Sequence, residues 1–168
     1  MIEVRPERAE DRDAIRRVHR AAFAPSEIEA ALVDELRDAG DLVPELCLVA
    51  LRDGDLVGHV AISRATLDGA GALGLGPIGV LPAAQRSGVG GALMRAVLAA
   101  AAETDWPLIA LLGHAEYYPR FGFEPAEALS VLPPFAVESR YWMAYRLPAY
   151  HAGLRGTFRY ADAFPDPG

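Results

Sequence analysis

Gly88, Gly90 and Gly91 stand almost together in the stretch "AQRSGVGGALM", between one apolar run and another. Glycine has no Cβ, so an anion can come close to the main chain there. After Gly88, apolar side chains recur at Val89, Leu93, Val97 and Ala100, joined by Met94, Leu98 and Ala101, the spacing of a helix with a broad inner face. A helix that begins after such a loop leaves its first amides without partners at the positive end of its dipole. That is a seat for phosphate or pyrophosphate, and Arg86 adds a cation beside it. The expected occupant is a phosphorylated ligand.

Two common nucleotide loops do not match. A Walker loop needs Lys and then Ser or Thr after its last glycine, whereas Gly91 follows Gly90; a dinucleotide fingerprint needs a small residue where Leu93 stands. For the glycines taken alone, a turn that merely joins strand to helix is the plain alternative. His19 falls on the apolar face of a helical pattern and His151 in the last segment, so both are expected as packing or surface groups. Cys47 is alone in "ELCLVAL", which excludes an internal disulfide or a cysteine zinc site and predicts a buried thiol.

The elements that must position the loop can be read in chain order. "IEVR" predicts a first strand, and Glu10 and Asp11 open a helix with Ile15, Val18, His19 and Ala22 on one face. "SEIEAALVDELRDAG" predicts a second helix, capped by Ser26 with Glu29 and stopped at Gly40. Apolar runs on either side of Asp53-Gly54 predict an antiparallel hairpin, strands two and three. After Asp68-Gly69, "ALGLGPIGVLP" predicts a fourth strand, bulged or splayed because Gly74, Gly76, Pro77 and Gly79 weaken pairing. The loop and third helix follow, and "WPLIALLG" predicts an apolar fifth strand. "HAEYYPRFGF" predicts a short helical turn ended at Gly122, and "SVLPPFAVESRYWMAYRLP" two last strands around Pro133-Pro134. From Ala149 the chain reads as an irregular arm, 149–168, with Tyr150, Phe158, Tyr160 and Phe164 packed on the surface.

The expectation is one α/β or α+β domain over residues 1–168, with a largely antiparallel sheet; a chain of 168 residues that is 52% hydrophobic can bury one sizeable core. A net charge of -7 without a basic stripe argues against a nucleic-acid partner. There is no lysine, so all 16 basic residues are arginine, and there is no asparagine. A lysine Schiff base, a Walker lysine and a Cys/His/Asn triad are therefore excluded. The N-terminus lacks an apolar signal core and no stretch is apolar for long enough to span a bilayer, so a soluble cytoplasmic monomer or homodimer with no membrane partner is expected.

Val80, Pro82, Gln85, Gly88 and Gly90 form the pattern V-x-P followed by Q-x-x-G-x-G, between a strand and an amphipathic helix. This resembles the acetyl-coenzyme A signature of the GNAT superfamily of N-acetyltransferases. A second signature of that superfamily, Y-x-x-x-G-F after strand five, is matched at Tyr118, Gly122 and Phe123. The likeness extends over nearly the whole chain, through the hairpin "DGDLVGHVAIS", "LGHAEYYPRFGFEPA" and the closing "GLRGTFRYADAF", and is to a branch of small bacterial acetyltransferases.

The resemblance implies acetyl-CoA as the cofactor, no metal, and strands four and five splayed to admit the pantetheine arm, whose amides pair with Ile78, Gly79 and Val80. It implies Gln85 within the cofactor motif and the pyrophosphate on the amides of Arg86, Ser87, Gly88, Val89, Gly90 and Gly91. The Ile78 amide becomes the oxyanion donor when an amine attacks the thioester in a ternary complex. Tyr118 becomes the general acid for the departing sulfur and a cofactor contact, and Tyr117 a structural or substrate-facing neighbour. Arg120 is expected either at the nucleotide end of the cofactor or in solvent. The acceptor is a primary amine of a small molecule or peptide, and the base that takes its proton stays open among His59, His114, Glu116 and water. Many members hold the pantetheine with an Asn after strand five, which this chain lacks. Two other readings remain: a non-catalytic acyl-CoA-binding or interaction module, and a general phosphate or nucleotide-binding fold.

Overall fold

The structure, a computed structural model, describes residues 1–166; the last two residues of the expected arm, 167–168, lie outside the described residues. The strands are β1 (Ile2–Pro6), β2 (Leu48–Arg52), β3 (Asp55–Leu67), β4 (Ala70–Val80), β5 (Leu108–Leu112), β6 (Glu124–Pro125), β7 (Val131–Leu132), β8 (Trp142–Arg146) and β9 (Gly156–Arg159). The helices are α1 (Arg12–Ala22), α2 (Ile28–Asp38) and α3 (Val89–Ala102). Two compact units result: Met1–Ile62 with Gly76–Ala100, and Ser63–Leu75 with the chain from Ala101 onward, β3 and β4 giving residues to each. Among the described residues no helix is long and apolar enough to cross a membrane.

In the first unit β1 pairs with β2 and β2 with β3, all antiparallel, and β4 follows β3. The β2–β3 turn forms where expected, because Asp53 and Gly54 take the left-handed φ values of 51° and 90° that a two-residue hairpin needs. Asp11 starts α1 by accepting the Arg8 amide at 2.8 Å, and Arg5 clamps its carboxylate at 2.7 Å. Ser26 accepts the Ile28 amide at 3.2 Å and donates to Glu29 at 2.7 Å, which starts α2. The two helices are laced by Arg12 and Arg16, which pair with Asp34 at 3.0 Å and 2.8 Å.

Glycine sets the layering of this unit. A Cβ on Gly58 would stand 3.0 Å from Val89 and 3.1 Å from Leu93, so α3 seats directly on β3. Side chains alternate along a strand, which turns His59 to the opposite face, toward His19 of α1. Ile15, Val18, Leu36, Leu93, Met94 and Val97 are buried. Cys47 is buried as expected, its Sγ 3.4 Å from both the Ile62 amide and carbonyl, and burial pushes its pKa up to about 12.

In the second unit the order is β3-β4-β5-β8-β6. The parallel pairing of β4 with β5 consists of Leu73↔Ile109 and Gly74↔Ala110, although β4 runs on to Val80 and β5 to Leu112. The short ladder ends where Gly76 and Pro77 enter the sequence. The sheet is thus mixed and mostly antiparallel, as expected.

One expectation changes here. The arm is not wholly irregular and is no surface dressing: β9 pairs with the end of β3 and with β7, Phe158 is fully buried, and Tyr160 stacks on Phe164 at 4.2 Å. Tyr160 also occupies the space beside Gly74, where a Cβ would come within 2.9 Å of its ring. The two last strands form on either side of Pro133-Pro134 as expected, and they take different partners. Pro133 and Pro134 have no amide to extend a ladder, so β7 stops at Leu132 and pairs in parallel with β9, while β8 pairs with β5 and β6. Trp142 anchors this core through its indole N–H, which donates to the Val131 carbonyl at 3.0 Å.

Candidate functional site

The loop between β4 and α3 is built by its own side chains. Leu81 donates its amide to Val57 of β3 at 2.8 Å, and a helical turn over Pro82–Ala84 follows. Gln85 donates its side-chain amide to the Val80 carbonyl at 3.0 Å, clasping the loop back onto the strand end. Ser87 donates to the Ala84 carbonyl at 2.6 Å and accepts from the Arg52 guanidinium. Arg86 and Gly88 take φ values of 62° and 91°, which reverse the chain into α3. The helical ladder begins with Ala92 N–H on the Gly88 carbonyl at 3.0 Å, so the amides of Val89, Gly90 and Gly91 precede the first intrahelical bond. Gln85, Arg86, Ser87 and Gly88 are all exposed at this helix start.

The edge of β4 follows from alternation. The Leu81 amide faces β3, and the Gly79 carbonyl lies 3.4 Å from where Gly58 of β3 would carry its Cβ. With a period of two, the N–H and C=O of Ile78 and Val80 turn away from β3. The Val80 carbonyl accordingly takes Gln85, and the half-buried Ile78 amide is directed to the same edge.

In the second unit Tyr118 opens the turn Tyr118–Phe121, which Gly122 ends at φ 103°. Its ring meets Tyr117 and Phe123 edge-on at 5.0 Å and 5.9 Å. A Cβ at Gly113 would overlap the Tyr118 ring, so that glycine makes the ring's seat. Burial, with a smaller contribution from Tyr117, pushes the phenol up to about 12 and keeps it protonated at neutral pH. His114 and Glu116 are exposed, and His114 lines a cavity of about 490 Å³ with Leu112, Val137, Glu138 and Tyr141. Arg120 lies 4.6 Å over the Tyr117 ring and donates to the Tyr117 carbonyl at 2.9 Å.

His59, a candidate base from sequence, is sealed within the first unit with both ring nitrogens engaged. Its Nε2 is 2.7 Å from Glu7 and its Nδ1 is 2.8 Å from His19 Nε2, while Arg37 holds the other Glu7 oxygen at 2.5 Å. His59 therefore cannot reach an amine directly. Burial lowers the pKa of both imidazoles, that of His19 to about 3. His19 was expected to pack on the apolar face of α1, and it does, yet it ends a polar chain. No sequence spacing links it to a partner 40 residues away. Its Nδ1 is buried without a partner among the described residues and lies against Gly79, where a Cβ would come within 2.8 Å.

A family model described as "Acetyltransferase (GNAT) domain" matches residues 44–125. The chain is 36% identical over 160 residues to the uncharacterized N-acetyltransferase YjhQ of Escherichia coli K12, covering 90% of this chain and 88% of that protein. It is similar to the solved structure of the GNAT family N-acetyltransferase YhbS from Escherichia coli in complex with CoA, with a TM-score of 0.91 and 28% identity over 99% of this chain and 93% of that one. A GNAT family acetyltransferase from Brucella melitensis in complex with acetyl-CoA gives a TM-score of 0.81 and 36% identity over 98% and 99% of the two chains. Fold and likeness together define the class as an N-acetyltransferase. The chain belongs to the GNAT family of acetyltransferases, as its two motifs implied.

Proposed function

We propose that the protein moves an acetyl group from acetyl-CoA to a primary amine of a small molecule or peptide, by direct attack of the amine within a ternary complex. The observation that carries this reading is the run of main-chain groups at the end of β4: Ile78 and Val80 turn to one edge, and the loop beyond them ends in the unpartnered-by-helix amides of Val89, Gly90 and Gly91. The edge suits the amides of a pantetheine arm and the loop suits a pyrophosphate. The CoA and acetyl-CoA complexes of the two similar structures support the same choice of ligand.

In this reading the Ile78 N–H stabilises charge on the acetyl oxygen, a contribution of about 10²–10³ in kcat for one such donor. Tyr118, which burial keeps protonated, gives its proton to the departing sulfur. Gln85 acts indirectly, by holding the loop to Val80, and the amides of Arg86 through Gly91 face the pyrophosphate. Calorimetric titration of acetyl-CoA tests the reading, with ATP as control ligand and Gly88→Trp as control protein. Gly88 sits at φ 91°, a conformation costly for any side chain, so the variant should lose binding. Tight binding of acetyl-CoA over ATP to the wild type alone is the expected result, and no heat from acetyl-CoA would overturn the assignment of the loop.

A further inference from the structure

Direct attack needs a seat for the body of the amine, and one cavity of the second unit meets Tyr118 at a shared residue. Gly113 seats the Tyr118 ring and also lines the cavity of about 490 Å³. That volume falls within the roughly 300–1,000 Å³ of small-molecule sites. β5 is buried from Leu108 to Leu111, yet its last residue, Leu112, is 40% exposed and lines this space with Ala136 and Val137. An apolar side chain left in water at a concave surface gains from covering by an apolar body. The walls are in place before any guest arrives. Tyr141 accepts the Gly113 amide on its carbonyl at 2.9 Å, the Leu112 main chain hydrogen-bonds the Tyr160 phenol, and Phe135, next to Ala136, stacks on Tyr160 at 6.5 Å. Such walls reduce the ordering cost of binding. Charge at the rim is mostly negative: Glu138 lines the cavity with its side chain exposed, and Glu116 adds a second carboxylate near Arg140. Arg140 donates to Glu138 Oε2 at 2.8 Å and lies 4.5 Å over the Tyr141 ring. Two carboxylates against one guanidinium favour a cation and disfavour an acid.

Resting on the acetyl-transfer reading above, we propose that this cavity seats the acceptor, and that the acceptor is a primary amine on an apolar body without a carboxylate. The body lies along Leu112, Ala136 and Val137, and its nitrogen points to the Gly113 end, beside the Tyr118 ring. Leu112 and Val137 set the preference for apolar bodies. Glu138, at the rim, sets the preference against acids, so amino acids are poor acceptors at their α-nitrogen. Polyamines are disfavoured too, because a second ammonium gives up water to an apolar wall or stays outside it. The C-terminal arm gains a role in this assignment, since Tyr160 supports both Leu112 and Phe135. A cavity that is only a packing feature would impose no order on amines of equal basicity.

Steady-state kinetics of the full-length protein with amines of nearly equal basicity test the seat. From ethylamine through propylamine and butylamine to pentylamine, kcat/KM should rise about two- to fourfold per added CH₂. Among amines of similar length, pentylamine should exceed cadaverine, and 6-aminohexanoate should be the poorest. Glu138→Gln should narrow the gap between cadaverine and 6-aminohexanoate about two- to fivefold, the range of an exposed charge pair. Ala136→Trp, at an exposed position, fills the cavity and should raise KM for pentylamine about tenfold, with calorimetric titration of acetyl-CoA showing that the variant is folded. A flat series, or cadaverine or 6-aminohexanoate as the best acceptor, overturns the inference, while acetyl-CoA binding leaves the transferase reading standing. Carbon-13 methyl NMR gives a readout without turnover: pentylamine added to CoA-saturated protein should shift the Leu112 and Val137 methyls, and unmoved methyls overturn the seat. Failure of wild type to bind acetyl-CoA removes the transferase reading and the acceptor role with it. If no amine of the series is turned over, the methyl shifts decide alone.

Discussion

Gly79 and Gly113 act through what they leave out. A Cβ on Gly79 would press within 2.8 Å of His19 Nδ1 and 3.2 Å of its Cε1, and the ring cannot retreat because His59 holds its far side at 2.8 Å. Gly79→Ala should therefore cost about 1–3 kcal/mol of stability, read from the urea midpoint. Gly113→Ala displaces the Tyr118 ring instead. It should reproduce Tyr118→Phe, lowering kcat about 10²-fold in a steady-state assay while calorimetry shows acetyl-CoA still bound. That these glycines clear space could be read from sequence; what fills the space could not. Gly79 stands in a motif that pointed to a ligand, and the neighbour it also admits comes from α1, 60 positions earlier, with no local signal to connect them.

Elements were legible where a short stretch determines them. Asp53-Gly54 and Asp68-Gly69 adopt the paired left-handed φ values that the dipeptides predict, and α3 begins at Val89, directly after Gly88. β9 was not legible, because four residues, "GTFR", carry no periodicity and their partners on β3 lie about ninety residues earlier. The same holds for β6, whose two residues, Glu124 and Pro125, owe their assignment to β8. The arm belongs to the core, so Phe158→Ala should destabilise by about 3–5 kcal/mol in chemical denaturation, as for any fully buried aromatic. A surface arm would give a change within about 0.5 kcal/mol.

At the scale of the whole chain, the buried imidazoles make folding sensitive to mild acid. His19 and His59 are neutral when folded, with pKa values lowered from 6.5, whereas the unfolded chain protonates them near that value. The unfolded state thus binds more protons below pH 6.5, and stability, complete above it, is lost as pH falls toward 3. Each such proton contributes a slope of up to about 1.4 kcal/mol per pH unit. Asp11, held below the usual carboxylate range first by its hydrogen bond from Arg5, adds a loss only as pH falls below 3.8. Urea midpoints measured between about pH 7.5 and 4.5 should decline, and His19→Phe should flatten that decline without touching the more acidic limb.

Cys47 carries a consequence for how the molecule can be watched. Its thiol is wholly enclosed, and the chain holds no lysine, so the folded side chains offer neither a free thiolate nor an ammonium to an electrophile. A disulfide reagent added to native protein should be consumed only as fast as the interior around β2 opens. The single cysteine becomes a built-in clock for breathing of the first unit: the labelling rate divided by that of the unfolded chain gives the opening equilibrium, residue for residue, with no engineered probe.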